Sequence, residues 1–356
     1  MCKRFVKWLL YLLFCCCVVS GLLFYIFIIS GRVPITQELW VTSAMTTMNH
    51  KWLATSFIST EVIRDIMERT AVSDAGMDTV VGTISLKNEL LDHGAVHGAA
   101  SDPMEEPDNS EVYLEQGYEE LEDGLYLKHV SGDLWQGYIM LVEDPYRVKL
   151  TQTNQQGVCG QTVMDMVAEA GGIAGINGGG FCDGPNYDSN GGQVAGLLIV
   201  DGELISPSVA DDNSIFNIIG LADSGQLILQ HNTSVWALEN GIHSAVEFSP
   251  FLIVNGEGTI KSGTGGWGIA PRTAIGQRET GEILFLVIDG RQVGYSVGVD
   301  IRVLQDTLLE EGCINAAMMD GGSSTVMVYN GEFVNKPSLG HERYINNCWV
   351  VMPGED

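Results

Sequence analysis

Basic residues are scarce in this sequence. Lysine and arginine together number 18 against 45 aspartates and glutamates, giving a net charge of −27 over 356 residues. Nucleic-acid binding needs a basic face to displace counterions from phosphate, so no nucleic-acid partner is expected. The shortage is most acute between Asp102 and Asp123, where no basic residue occurs. Such a run, with prolines inside it and small residues before it, reads as a solvated linker. Zinc spacing is missing too: the eight cysteines fit no zinc signature, and His231, His243 and His341 stand apart without ligand spacing. No metal centre is expected from them.

Charge of either sign is absent from Trp8 to Gly31. An apolar run of this length spans a bilayer as a helix, and Lys3, Arg4 and Lys7 precede it. Positive charge stays cytoplasmic, so the remainder is expected outside the membrane. The run exceeds a signal-peptide core and lacks a small-x-small cleavage site, which favours an uncleaved anchor. The expected organisation is a cytoplasmic tail over 1–7, an anchor over 8–31, a membrane-proximal helical region over 32–92, an acidic linker over 93–123 and one folded domain over 124–356. In the helical region, Ser59 or Thr60 suits a helix cap, with Val62, Ile63, Ile66 and Met67 on one face.

Cys2, Cys15, Cys16 and Cys17 belong to the anchor, where thiols act as apolar filler, with Cys2 also a candidate lipidation site. Cys159, Cys182, Cys313 and Cys348 lie in the folded domain. In an oxidising compartment, Cys159–Cys182 and Cys313–Cys348 are the simplest pairings; free buried thiols account for them equally well.

From Gly124 the chain turns to short β-rich runs punctuated by glycine, such as "GYIMLVED", "FNIIGLADSGQLIL" and "GEILFLVIDG". "VDGEL" and "VNGEG" are hairpin signals. Two stretches repeat one construction. "TVMDMVAEAGGIAGINGGGF" and "IRVLQDTLLEEGCINAAMMDGGSS" each place a helix, a glycine stop, a short apolar strand, and then a polar residue with glycines: Asn177-Gly178-Gly179 and Asp320-Gly321-Gly322. Glycine suits the helix stops and also lets a ligand approach backbone amides. Arg272 and Thr273 in "GIAPRTAIGQ", and Asp289 and Arg291 in "LVIDGRQVGYSVG", likewise interrupt apolar sequence. Taken singly, each reads as a turn or a surface ion pair. Together they supply two carboxylates, two guanidiniums, an amide and several glycine N–H groups. Guanidinium forks and backbone amides match phosphate oxygens, and paired carboxylates match glycosidic hydrolysis.

"INGGGF", "PRTAIG", "IDGR" followed by "YSVG", and "MDGGSST" resemble, in the same order, the motifs of the phosphodiester glycosidase family, over roughly Gly124 to Met352. The anchored N-terminal part is similar to that of membrane-attached bacterial members. The resemblance implies a cavity formed by Asn177, Gly178, Phe181, Arg272, Thr273, Asp289, Arg291, Asp320, Gly321, Gly322 and Ser323. Asp320 and Asp289 would be its catalytic carboxylates and the others would bind substrate. Ser323 departs from a third glycine that the family often carries there. The expected fold is α+β, a mixed β-sheet core with packed helices, preceded by one N-terminal transmembrane helix. The expected activity is hydrolysis of a sugar-1-phosphodiester, on an envelope or exopolysaccharide glycan, without a cofactor. Two rivals use the same cavity: a non-catalytic carbohydrate- or wall-polymer-binding module, and a phosphodiesterase that breaks the P–O bond. Asp212–Ser214 and Asp183–Asn190 are oxygen-rich, so calcium is an alternative reading of ordinary loops.

Overall fold

The computed structural model describes residues 2–47, 50–72, 74, 76–82, 84, 109–183, 189–210 and 212–354. The chain divides into two compact units, Met1–Ala71 with Ser262–Ile269, and Val72–Lys261 with Ala270–Asp356.

In the first unit, α1 (Cys2–Phe24) runs into a π-helical turn over Tyr25–Ile29. Arg4–Ile29 is long and apolar enough to cross a membrane. Phe24 meets Trp40 and Phe57 edge-on, with ring centroids 5.3 and 5.2 Å apart. Three helices follow: α2 (Pro34–Met45), α3 (Trp52–Thr55) and α4 (Thr60–Thr70). Ser59 caps α4 by accepting the Val62 N–H. Ile63 and Ile66 are buried as the pattern requires, whereas Val62 faces solvent. Ser262–Ile269 joins this bundle by polar contacts. Thr264 donates to the buried Glu38 carboxylate (3.3 Å), and Thr46 donates to the Trp267 carbonyl (2.9 Å).

The second unit holds three sheets. The largest runs in the order β1 (Glu119–Glu122), β2 (Leu125–Gly132), β3 (Trp135–Val142), β14 (Ile283–Ile288), β13 (Arg272–Arg278), β15 (Cys313–Met318), β11 (Phe251–Val254), β12 (Glu257–Gly258). The second is β7 (Glu203–Ser206), β6 (Leu198–Val200), β10 (Ile242–Glu247), β8 (Phe216–Ala222), β9 (Leu227–Asn232). The third is β17 (Glu332–Phe333), β16 (Met327–Tyr329), β5 (Ala174–Asn177), β18 (Asn347–Val351), β4 (Val148–Gln152). The α+β expectation holds, with helices mixed among sheets. The pairings among the named strands run antiparallel, as in β13 with β14 and β5 with β18. Antiparallel pairing suits the short connections between consecutive strands. At "VDGEL", Asp201 and Gly202 both take positive φ (49° and 75°), as do Asn255 and Gly256 at "VNGEG" (51° and 81°). These are the backbone signs of the type I′ hairpin turn that Asn-Gly and Asp-Gly favour.

One core ties the sheets together. Leu125 and Phe285 of the first, Leu229 and Val246 of the second, and Ile176 and Trp349 of the third belong to the same buried cluster. Burying each such side chain contributes about 1.5–3 kcal/mol. Outside the sheets lie α5 (Ser110–Glu115), α6 (Val163–Glu169), α7 (Ser234–Glu239) and α8 (Ile301–Glu310). Thr162 caps α6 and Asp300 caps α8, while Gly171 and Gly312 take positive φ just past their ends. Both glycine stops therefore behave as C-caps.

The boundary expected at Gly124 is not a structural one. Asp78 and Thr79 already pair with β9, through Thr79 N–H to the Leu229 carbonyl (2.9 Å) and His231 N–H to the Asp78 carboxylate (2.9 Å). Of the expected acidic linker, residues 93–108 lie outside the described residues, and α5 and β1 already belong to the second unit.

Candidate active site

The two repeated constructions meet. Asn177 ends β5 and Asp320 lies just past β15, in different sheets, yet they are locked by two hydrogen bonds. Asn177 Nδ2 donates to the Asp320 carbonyl (2.6 Å), and the Asp320 N–H donates to the Gly178 carbonyl (3.1 Å). Asn177 Oδ1 accepts from Thr273 Oγ1 (2.8 Å) and from the Val326 N–H (3.2 Å). Asn177 is 1% exposed and Thr273 is 0% exposed, so both side chains are spent inside the protein. They brace the strand ends. Gly178 is needed where it stands: a Cβ there would lie 2.2 Å from Asn347 Oδ1, the oxygen that accepts the Gly179 N–H.

The carboxylates have different fates. Asp289 is buried and receives Asn335 Nδ2 (2.9 Å), Tyr295 Oη (2.9 Å) and the Lys336 N–H (3.0 Å). Its carboxylate therefore anchors the Arg291–Val297 loop to the Asn335 turn. Asp289 is raised above the usual carboxylate range by burial, against the pull of those same donors. Asp320 is only partly enclosed, and among the described residues it has no cation within salt-bridge distance. Burial raises it to about 6, against the Ser324 hydroxyl, the Arg343 guanidinium and the Gly321 amide. A carboxylate at the end of a strand that titrates near neutrality suits proton transfer.

Arg291 sits beside it in a left-handed backbone (φ 60°), costly for a residue with a side chain. Its guanidinium lies against Gly322, where an added Cβ would come within 2.9 Å of Nη2. Arg291 is lowered by burial, with the Asp320 charge opposing. Arg272 is 4% exposed, and its Nε donates to the Val299 carbonyl (3.2 Å). Burial lowers it to about 10, Asp300 counters this, and Arg291 adds to the lowering. Two guanidiniums that disfavour each other's charge are thus held in one neighbourhood. An anion would relieve both.

Phe181 carries a cation that sequence reasoning missed. The Arg343 guanidinium stacks on its ring at 4.8 Å and bonds both oxygens of Asp183 through Nη2 (3.0 and 3.3 Å). The "GHERYINN" run before the last apolar strand held the signal: Asn346 and Asn347 are almost fully buried, so its polarity is not a surface turn. Ser323 lies within a 3-10 turn, Gly322–Ser324, and is half-buried. Gly321 packs over the Pro271 carbonyl, which accepts the Gly322 N–H (2.9 Å).

The disulfide pairings are corrected by the structure, in which Cys159, Cys182, Cys313 and Cys348 are free thiols. Cys313 is buried against Gly276 in the first sheet and Cys348 packs with Val163 and Val326 beside the third. Burial raises both thiols above the usual range. Among the described residues no group of three His, Cys, Asp or Glu side chains gathers as a metal site. Residues 184–188 of the oxygen-rich Asp183–Asn190 stretch lie outside the described residues. His231 is clasped by Asp78 (3.0 Å) and His243 by Ser244 (2.8 Å).

The family model described as phosphodiester glycosidase matches residues 170–352, a span that includes Asn177, Phe181, Arg272, Asp289, Arg291 and Asp320. Among curated proteins, the SPbeta prophage-derived uncharacterized protein YomE of Bacillus subtilis is 29% identical over 55% of this chain and 30% of its own length. N-acetylglucosamine-1-phosphodiester alpha-N-acetylglucosaminidase of Mus musculus is 25% identical over 63% of this chain and 45% of its own length. The chain thus spans less than half the length of these relatives. The zebrafish N-acetylglucosamine-1-phosphodiester alpha-N-acetylglucosaminidase catalytic domain, auto-inhibited by its pro-peptide, superposes with a TM-score of 0.54. That likeness covers 74% of this chain and 91% of that one at 22% identity, and it speaks for the fold. With a family model matched over half its length, the chain belongs to the phosphodiester glycosidase family.

Proposed function

We propose that the chain is a membrane-anchored, extracytoplasmic hydrolase that cleaves a sugar-1-phosphodiester to free sugar and a phosphate monoester, on an envelope or exopolysaccharide glycan. The observation that carries this reading is a half-buried carboxylate, Asp320, beside the Arg291 guanidinium, whose charge is in turn disfavoured by that of buried Arg272. The mouse and zebrafish proteins named above act, by their names, on an N-acetylglucosamine-1-phosphodiester.

In this reaction the bond from the anomeric carbon to oxygen breaks, and its electron pair leaves with the phosphate. A phosphate monoester has a second pKa of about 6, so the leaving group needs charge stabilisation more than protonation. Arg272 and Arg291 supply that charge. Water adds its oxygen to the anomeric carbon and loses a proton, for which ionised Asp320 is the acceptor. Asp289, Asn177 and Thr273 hold the geometry without touching substrate.

The direct test is to incubate the purified full chain with sugar-1-phosphodiesters in 18O-labelled water. Free sugar carrying the label, with unlabelled phosphate monoester, is expected. Label in the phosphate would assign P–O cleavage, and tight binding without turnover would leave a binding module. Orientation has its own check. Because Lys3, Arg4 and Lys7 precede the apolar run, protease added outside intact cells should digest the part beyond Gly31. Protection until the membrane is lysed would reverse the topology.

A further inference from the structure

The outer end of the apolar span is not left bare. The apolar window of Arg4–Ile29 is uncovered by the other described residues, yet a second helix doubles back over its last turns. Thr36 Oγ1 donates to the Phe27 carbonyl (2.6 Å) and Gln37 Nε2 to the Ile28 carbonyl (2.8 Å). One turn further on, Trp40 meets the Phe24 ring at 5.3 Å, so α2 runs back down the span. Phe57, just past α3, reaches the same ring. Phe24 stands five residues before the span ends at Ile29, roughly 7 Å along the helix axis. Side chains of α2 and of the turn after α3 therefore reach below the level at which the span ends.

Between α2 and α3 lies a groove of about 420 Å³, walled chiefly by Leu39, Trp40, Ala44 and Leu53. Its hydroxyls and indole are turned to the protein. Thr36 also donates to the Val33 carbonyl (2.9 Å), Thr47 Oγ1 to the Ala44 carbonyl (2.8 Å) and Trp40 Nε1 to the Leu53 carbonyl (2.9 Å), while Ser43 Oγ accepts the Ile269 N–H (3.1 Å). A pocket of this size with its donors spent selects hydrocarbon. Ile35, Trp52 and Phe57 are 63%, 55% and 44% exposed on the same short elements. Exposed apolar residues are ordinary when scattered, but these cluster where the chain touches the span, and tryptophan favours the membrane interface. Arg32 and Lys51 are exposed, whereas Glu38, the only acid between Gly31 and Ser59, is buried and paired with Arg69 (3.2 Å). In a chain of net charge −27 this stretch alone turns a basic surface outward beside the span, which lipid phosphates favour.

We propose that this groove binds one acyl chain of a bilayer phospholipid, with α2 and α3 seated in the leaflet at the outer end of the span. The inference rests on Arg4–Ile29 being an uncleaved anchor. Hydrocarbon that surrounds the span at Phe24 is continuous with the wall at Trp40, so an acyl chain enters the groove without crossing water. Arg32 and Lys51 then stand at the depth of the headgroup phosphate. The bundle is held at the membrane surface by a bound lipid as well as by its anchor.

The test uses the full chain in phosphatidylcholine nanodiscs containing a phosphatidylcholine with a diazirine near the end of one acyl chain. After irradiation, peptide mass spectrometry should find lipid adducts in α2 and at Leu53 as well as along the span. Thr47→Trp fills the groove from its edge, and Leu39→Gln makes its wall polar. Each should lower the adducts in α2 and at Leu53 about tenfold, as denying burial to two methylenes does, and leave those on the span unchanged. Circular dichroism on the same samples reports whether the bundle is folded. If one variant unfolds, the other and the wild-type adduct map still decide. Adducts confined to the span in the wild type, or undiminished groove adducts in a folded variant, would overturn the proposal. Two chains per disc with the groove free of adducts would give it to a second copy instead. Intact mass separates the two readings: a mature chain cleaved before α2 sinks the anchor and the groove together, whereas a full-length chain without groove adducts sinks the groove alone.

Discussion

Asp320→Asn is expected to lose at least ~100-fold in turnover, the lower range for removing acid–base assistance, while folding as the wild type does. The separation of the two effects follows from where the bonds lie. The structural work of this residue is done by its backbone, through the N–H to Gly178 and the carbonyl to Asn177, and asparagine keeps both. The carboxylate itself is a cost. Its folded pKa, about 6, stands above the ordinary value of 3.8. The folded state therefore binds this proton more tightly than the unfolded state does. That contribution to stability is fully present below the ordinary value and is lost as pH rises through 6. At pH 7 the variant should melt no lower than the wild type, because it removes a charge that burial penalises. Catalysis runs the opposite way, since the base is needed ionised and activity should fall as pH drops below 6. Thermal melting and turnover measured on one preparation decide the matter. A melting point well below wild type, with activity tracking the folded fraction, would make Asp320 a turn residue.

The sequence carried this site's composition but not its division of labour. Strands, type I′ turns and glycine stops were legible because each depends on a few neighbouring residues. The twin constructions ending on Asn177 and Asp320 were legible for the same reason, and they do meet. What could not be read was which polar atoms are consumed by the protein. Asn177, Thr273 and Asp289 look as reactive in sequence as Asp320 does, yet Asn177 is partnered by Val326 and Asp320, Thr273 by Asn177, and Asp289 by Asn335, all far along the chain. Arg343 and Asp183 were missed on similar grounds, since the pair closes over 160 residues of separation. The unit boundaries had no local signature either. Residues 78–79 join a strand edge through one backbone bond and the side chains of Asp78 and Thr79, partners far along the chain, and Ser262–Ile269, where the chain leaves one unit for the other, is marked only by its glycines.

Asn177→Ala should do what Asp320→Asn does not, and unfold the site. The substitution leaves three buried groups without their partner: the Asp320 carbonyl, the Thr273 hydroxyl and the Val326 N–H. A buried polar group left unsatisfied costs roughly 1–3 kcal/mol, and water entering the space left behind recovers part of that. A net loss of about 2–4 kcal/mol is expected, which for a unit of this size lowers Tm by roughly 5–15 °C. Thr273→Val removes only one donor to the same oxygen and should cost about 1 kcal/mol, because the Val326 N–H still satisfies Asn177. The graded pair tests the bracing role against the substrate-binding role that the motif resemblance implies. A brace predicts that melting falls in both variants, more in Asn177→Ala, and that residual activity at low temperature keeps a near-normal KM. If Asn177→Ala melts like the wild type and instead raises KM, its amide is spent on substrate. Asp320 would then be held by its backbone bond to Gly178 alone.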